Sequence, residues 1–170
     1  MTDTGIATIP RPVSAGEETE ALRRFHRDVT WTGGIEEGGM GPGTPAQIAN
    51  GKATHHWIQD GRWVVGEFEQ DQFLEDGTFV LKWELHWVCG WDPANAEYRA
   101  TVADCYGHTE IMRGRIDGDL MIFESMRDEM PKLKMTWDAS SPEFILWRNE
   151  MTFDGTDWQL IEEYRMVPAG

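Results

Sequence analysis

Three carboxylates fall where β-strand alternation sets them among apolar side chains. Asp104 closes the series Tyr98, Ala100, Val102; Glu110 opens the series Met112, Gly114, Ile116; Glu124 follows Leu120 and Ile122. A lone carboxylate moved out of water costs several kcal/mol. Each must therefore find a counter-ion or shift its pKa, and a carboxyl with a raised pKa can serve as acid or base. Arg113 and Arg148 are candidate counter-ions, and the same alternation sets Arg148 and Glu150 with Phe144 and Leu146. Around these groups the chain spends many of its nine tryptophans. Trp83, Trp87 and Trp91 share one face with Phe79, Leu81, Leu85 and Cys89, while Lys82, Glu84 and His86 take the other. Trp57 shares a face with His55 and Ala53. Trp57, Trp83, Trp87, Trp91, Tyr98 and Tyr106, with His55 and Arg148 as polar members, are the expected lining of a pocket, since such pockets combine apolar walls with a few polar groups. Glu67, Glu69 and Asp71 share a face with Trp63 and Val65 and are expected in solvent near a mouth.

Other chemistries lack their signatures. The chain has no phosphate-binding glycine loop, no dinucleotide fingerprint, no Gly-x-Ser-x-Gly elbow and no His-Glu-x-x-His. His55 and His56 are adjacent in a strand and face opposite sides, His86 falls on an outer face, and His108 falls in a turn. No metal site and no cofactor is expected. Cys89 and Cys105 lack zinc spacing and are expected as free thiols.

The elements that must carry these residues are mostly strands. Ser14 and Glu17 fit a capping box, and Leu22 with Phe25 gives the following helix one apolar face, suited to plugging or leaning on a barrel end. From residue 29 the period changes to two. Strands are expected over 29–35, 52–58, 63–73, 78–91, 98–106, 109–116, 120–124, 133–137, 144–151 and 158–166, separated by turns such as Asp60-Gly61, Asp76-Gly77 and Asp117-Gly118. Gly38 to Gly43 is a glycine-rich loop. The pattern implies a mostly β fold, an antiparallel up-and-down barrel of about 8–10 strands with one N-terminal helix. Residues 1–13 are expected as a flexible segment and 14–168 as one barrel domain.

With 170 residues the chain can form a single well-buried core. Its formal charge of −15 disfavours nucleic acid and anionic membranes and suits neutral, cationic or zwitterionic ligands better. The N-terminus lacks the charged and apolar regions of a signal peptide, and no apolar run reaches the ~20 residues of a membrane span. A cytoplasmic location is expected.

The order of several short motifs resembles an uncharacterised bacterial lipocalin-like family. The stretch from Gly51 to Glu67, with Asp60-Gly61 at its turn, is similar to one such element. Gly90-Trp91-Asp92-Pro93, then Tyr98, then Thr101-Val102-Ala103-Asp104 is similar to another. Gly155-Thr156-Asp157-Trp158 through Glu163-Tyr164-Arg165 looks like its closing strand, and Thr30-Trp31-Thr32-Gly33 is a looser match to its opening. The resemblance spans residues 28–166. It implies a calycin-type barrel and no particular activity, the family being a domain of unknown function. Asp104 matches the family's aspartate; Val102 stands where the family tends to have Trp, and 131–137 is less typical.

Three functions fit these residues. One is binding of a small, largely apolar molecule inside a Trp-lined barrel. Another is an isomerase, cyclase, dehydratase or hydrolase using an inward carboxylate. The third is a structural or interaction barrel, with a homodimer through Ile111, Met121, Phe123 or Ile145.

Overall fold

The computed structural model describes residues 14–170; the N-terminal segment 1–13 lies outside the described residues. The chain enters through a short helix, α1 (Glu17–Ala21), and one 3-10 turn, Leu22–Arg24. Ten strands follow: β1 (Val29–Ile35), β2 (Gln47–Ile58), β3 (Trp63–Phe73), β4 (Phe79–Asp92), β5 (Glu97–Asp104), β6 (Thr109–Asp117), β7 (Leu120–Ser125), β8 (Lys132–Asp138), β9 (Ile145–Thr152) and β10 (Gln159–Pro168). Each pairs antiparallel with the next, and β1 pairs with β10 to close the barrel. Closure removes free sheet edges. Among the described residues no helix is long and apolar enough to cross a membrane.

Alternation decides which side chains fill the interior. On β4, Trp87 and Cys89 are buried, with Trp83, Leu85 and Trp91 on the same face, while Lys82, Glu84 and His86 are exposed. Glu67 is exposed on the outer face of β3, and Glu69 there pairs with Lys52 and Lys82. Inward glycines make room for large rings. A Cβ on Gly51 would lie 2.3 Å from the Trp31 ring, and one on Gly33 would lie 2.4 Å from the Tyr164 ring. Those two rings lie flat over bare backbone and stack on each other at 5.9 Å between centroids.

The helix caps one end of the barrel. Leu22, Phe25 and His26 are buried, Tyr98 Oη donates to the Glu18 carbonyl at 2.9 Å, and the Arg23 guanidinium sits 4.3 Å over the Trp57 ring. Trp87 Nε1 donates to His26 Nε2 at 3.0 Å. An indole N–H only donates, so His26 must carry its proton on Nδ1, which donates to the Leu22 carbonyl at 2.9 Å. Burial, with His55 next to it, lowers the His26 pKa to about 3.

The structure corrects several sequence expectations. The helix N-cap is Gly16, with no side-chain cap, rather than Ser14. β2 begins five residues earlier than the hydrophobic pattern indicated, at Gln47. Glu124 points outward on β7, because Met121, Phe123 and Ser125 are the buried set; it meets Arg115 at 3.3 Å. On β9 Ile145, Trp147 and Asn149 are buried, so Arg148 is outside and pairs with Glu163 at 2.5 Å. Both strands carry apolar residues on both faces, which leaves their phase ambiguous from alternation. By the same reversal Met121, Phe123 and Ile145 belong to the core and offer no dimer surface, whereas Ile111 is exposed. Cys105 and Tyr106 lie past the end of β5, in a turn.

Candidate functional site

The end of the barrel opposite the helix is open. A vestibule of about 630 Å³ lies between the Gly38–Pro42 stretch of the glycine-rich loop, the turn carrying Asp104, Tyr106 and His108, and the start of β10. Beneath it a chamber of about 50 Å³ is walled by Trp31, Trp83, Trp87, Trp137, Trp147 and Tyr164. Trp83, Asn149 and Glu162 line both spaces and mark the passage between them. A chamber of that size holds a few atoms or about three waters; the vestibule has the volume of a small-molecule site.

Glu162 is the chemical centre of this passage. A register shift between Leu160 and Glu162 turns both Ile161 and Glu162 into the interior, and Glu162 is 1% exposed. Asn149 Nδ2 donates to Glu162 Oε1 at 3.1 Å, and Tyr164 Oη donates to Oε2. Among the described residues no Lys or Arg lies within ion-pair distance of it. Burial raises its pKa, against the hydrogen bonds from Tyr164 and Asn149 and the nearby Gln70 amide that pull it down; Gln70 Nε2 is itself buried without a partner. Burial and the neighbouring carboxyl push the Tyr164 hydroxyl well above its ordinary range. Trp31 Nε1 donates to Gln70 Oε1 at 3.1 Å, completing the polar floor. Asn149 Oδ1 is buried and has no partner, leaving an acceptor with its desolvation cost uncompensated.

Asp104 is the second carboxyl of the vestibule, and it is built differently. Its Oδ1 accepts from the backbone N–H of Tyr106 at 3.0 Å and of His108 at 2.8 Å. Its Oδ2 accepts from Trp83 Nε1 at 3.3 Å and faces His108 Nδ1 at 3.1 Å. Burial raises the Asp104 pKa, but these bonds outweigh it and hold the carboxyl below its ordinary range. It is an ionised acceptor that fixes the turn and the Trp83 indole, not a proton donor. Glu110 is buried as alternation predicts, but its partner is Arg127, not Arg113 or Arg148.

The sequence-derived set therefore divides. Trp83, Asp104 and Tyr106 border the vestibule, and Trp87 lines the chamber beneath it. His55, Trp57, Trp91 and Tyr98 pack beneath the helix: His55 lies 5.4 Å from His26 and 5.5 Å from Phe68, and Trp91 lies 4.9 Å from Tyr98. Glu124 and Arg148 are outside. Sequence reasoning missed Glu162, Tyr164, Asn149, Trp31, Trp137 and Trp147. A signal for Glu162 was present, since it stands between Leu160, Tyr164 and Met166 at every second position. Among the described residues no cluster of three or more His, Cys, Asp or Glu could hold a metal ion.

A closed ten-stranded antiparallel barrel, plugged by a helix at one end and open onto a buried carboxyl at the other, is the class of protein that fold and site define. The chain belongs to the DUF1579 family of proteins of unknown function, whose pattern matches residues 16–170. No curated protein matches it significantly. Among solved structures it is similar to Rv2717c from M. tuberculosis, with a TM-score of 0.61, 12% identity, and 92% of this chain and all of that one covered. It is also similar to the S-type phycobiliprotein lyase CPES from Guillardia theta, with a TM-score of 0.55, 7% identity, and 89% and 92% covered. At these identities the likeness is one of fold.

Proposed function

We propose that this protein binds a small, largely apolar molecule through the open end of the barrel. The observation that carries the reading is Glu162: a buried carboxyl without a counter-ion among the described residues, at the junction of an indole-walled chamber and a vestibule of about 630 Å³. A barrel that served only as a scaffold would gain stability by filling that position with an apolar residue. Asn149 Oδ1, buried without a partner beside it, supports the same reading, because a ligand's polar group would complete it. The apolar body of the ligand would lie against Met40, Met151 and Phe153 in the vestibule, and its polar end would reach Glu162 and Asn149.

Titration with N-phenyl-1-naphthylamine, a neutral apolar dye, tests this. One dye per chain should bind, with energy transfer from the chamber tryptophans. Met151→Trp, which fills the vestibule, should abolish binding, and Trp91→Phe at the helix end should leave it intact. Absence of dye binding, or binding indifferent to Met151→Trp, would count against the reading.

A further inference from the structure

The charge on the walls of the open end is one-sided. Glu37, Asp104 and Glu162 line the vestibule, with His108 facing Asp104, and among the described residues neither vestibule nor chamber has a Lys or Arg in its lining. The whole chain adds a formal charge of −15, which concentrates cations in such a cleft and repels anions. The two polar groups that border both spaces offer acceptors: the Glu162 carboxyl and the unpartnered Asn149 Oδ1. The chamber beneath them is walled by Trp31, Trp83, Trp147 and Tyr164. Aromatic rings beside a carboxyl are the chemistry that recognises an ammonium group, through cation–π attraction and charge-assisted hydrogen bonds.

We infer that the open end takes an organic cation, an ammonium group on an apolar body, with Glu162 as its counter-ion and Asn149 Oδ1 as a second acceptor. The inference rests on the small-molecule reading above and narrows it to a ligand class. The chamber of about 50 Å³ fits an ammonium head and the vestibule fits the body. Burial raises the Glu162 pKa, and an ammonium ion beside the carboxyl would favour its ionised form.

Calorimetric titration of the full chain near neutral pH with 2-phenylethylamine, 2-phenylethanol and 3-phenylpropanoate tests the inference. These probes share a body and differ in charge. The amine should bind on the order of tenfold tighter than the alcohol, and the carboxylate most weakly. In Glu162→Gln the amine and alcohol should bind alike. Equal wild-type affinities for amine and alcohol would overturn the ammonium inference and leave the small-molecule reading standing. An amine preference that survives Glu162→Gln would overturn the assignment of Glu162. Failure of all three probes to bind would overturn both. The wild-type series decides the ligand class even if Glu162→Gln does not fold.

Discussion

Acid should loosen the helix end of the barrel through His26. Its pKa falls from an ordinary 6.5 to about 3 in the fold. Below 6.5 the unfolded chain binds a proton that the native chain refuses, so native stability is complete above that value and declines as pH falls toward 3. A tenfold difference in proton affinity between the two states corresponds to about 1.4 kcal/mol. Between about pH 7 and about pH 4.5 the single site withdraws roughly 2–3 kcal/mol, and roughly 5 kcal/mol once both states are protonated. His55, also lowered by burial, acts in the same direction. The physical event is protonation of Nε2, which would break the bond from Trp87 Nε1 and place a charge beneath the helix. Urea unfolding followed by tryptophan fluorescence at a series of pH values measures this. His26→Gln should be less stable than wild type at neutral pH, and the gap should narrow by about 2 kcal/mol toward pH 4.5. Changes in overall charge repulsion are common to both chains and cancel in the comparison. A gap that stays constant across that range would refute the reasoning.

Glu162 has the opposite sign. Its raised pKa means that its contribution is present below the ordinary 4.5 and is lost as pH rises, so Glu162→Gln should raise the unfolding midpoint in mild alkali and lose that advantage below about pH 4, read by thermal melts at both pH values. Gly51→Ala would drive a methyl into the Trp31 ring, and should cost about 1–3 kcal/mol in chemical unfolding and shift the near-ultraviolet dichroism of the chamber indoles. Arg127→Ala would leave Glu110, 7% exposed, without its partner. Because Arg127 itself is 39% exposed, the expected loss in the same unfolding assay is moderated to about 1–3 kcal/mol.

Much of the barrel was legible because most strands have one apolar and one polar face. β4, with Trp83, Trp87 and Cys89 against Lys82, Glu84 and His86, could be oriented without a structure. β7 could not, since Leu120, Ile122, Met121 and Phe123 supply apolar side chains to both faces. A one-residue change of phase exchanges inside for outside, which is how Glu124 and Arg148 came to be expected in the pocket. The helix cap was misjudged because Ser14 and Glu17 match a capping pattern whose hydrogen bonds do not form. The centre of the site was visible only in part: alternation with Tyr164 and Met166 sets Glu162 inward, and the bulge beside Ile161 brings Ile161 inside with it. Asp104 was found by alternation, but its ionised state depends on the backbone N–H groups of the Tyr106–His108 turn, which side-chain patterning does not report.

The central claim, that a small molecule enters beside Glu162 at the open end, is tested most directly by methyl spectra of protein carrying labelled methionines. Met40 and Met151 line the vestibule, Met135 and Met166 line the chamber, and Met121 is buried in β7, which begins next to the turn where Arg24 of the helix end holds Asp119. Saturating N-phenyl-1-naphthylamine should shift the Met40, Met151, Met135 and Met166 methyls and leave Met121 in place. Shifts confined to Met121, or to none of the five, would contradict the account.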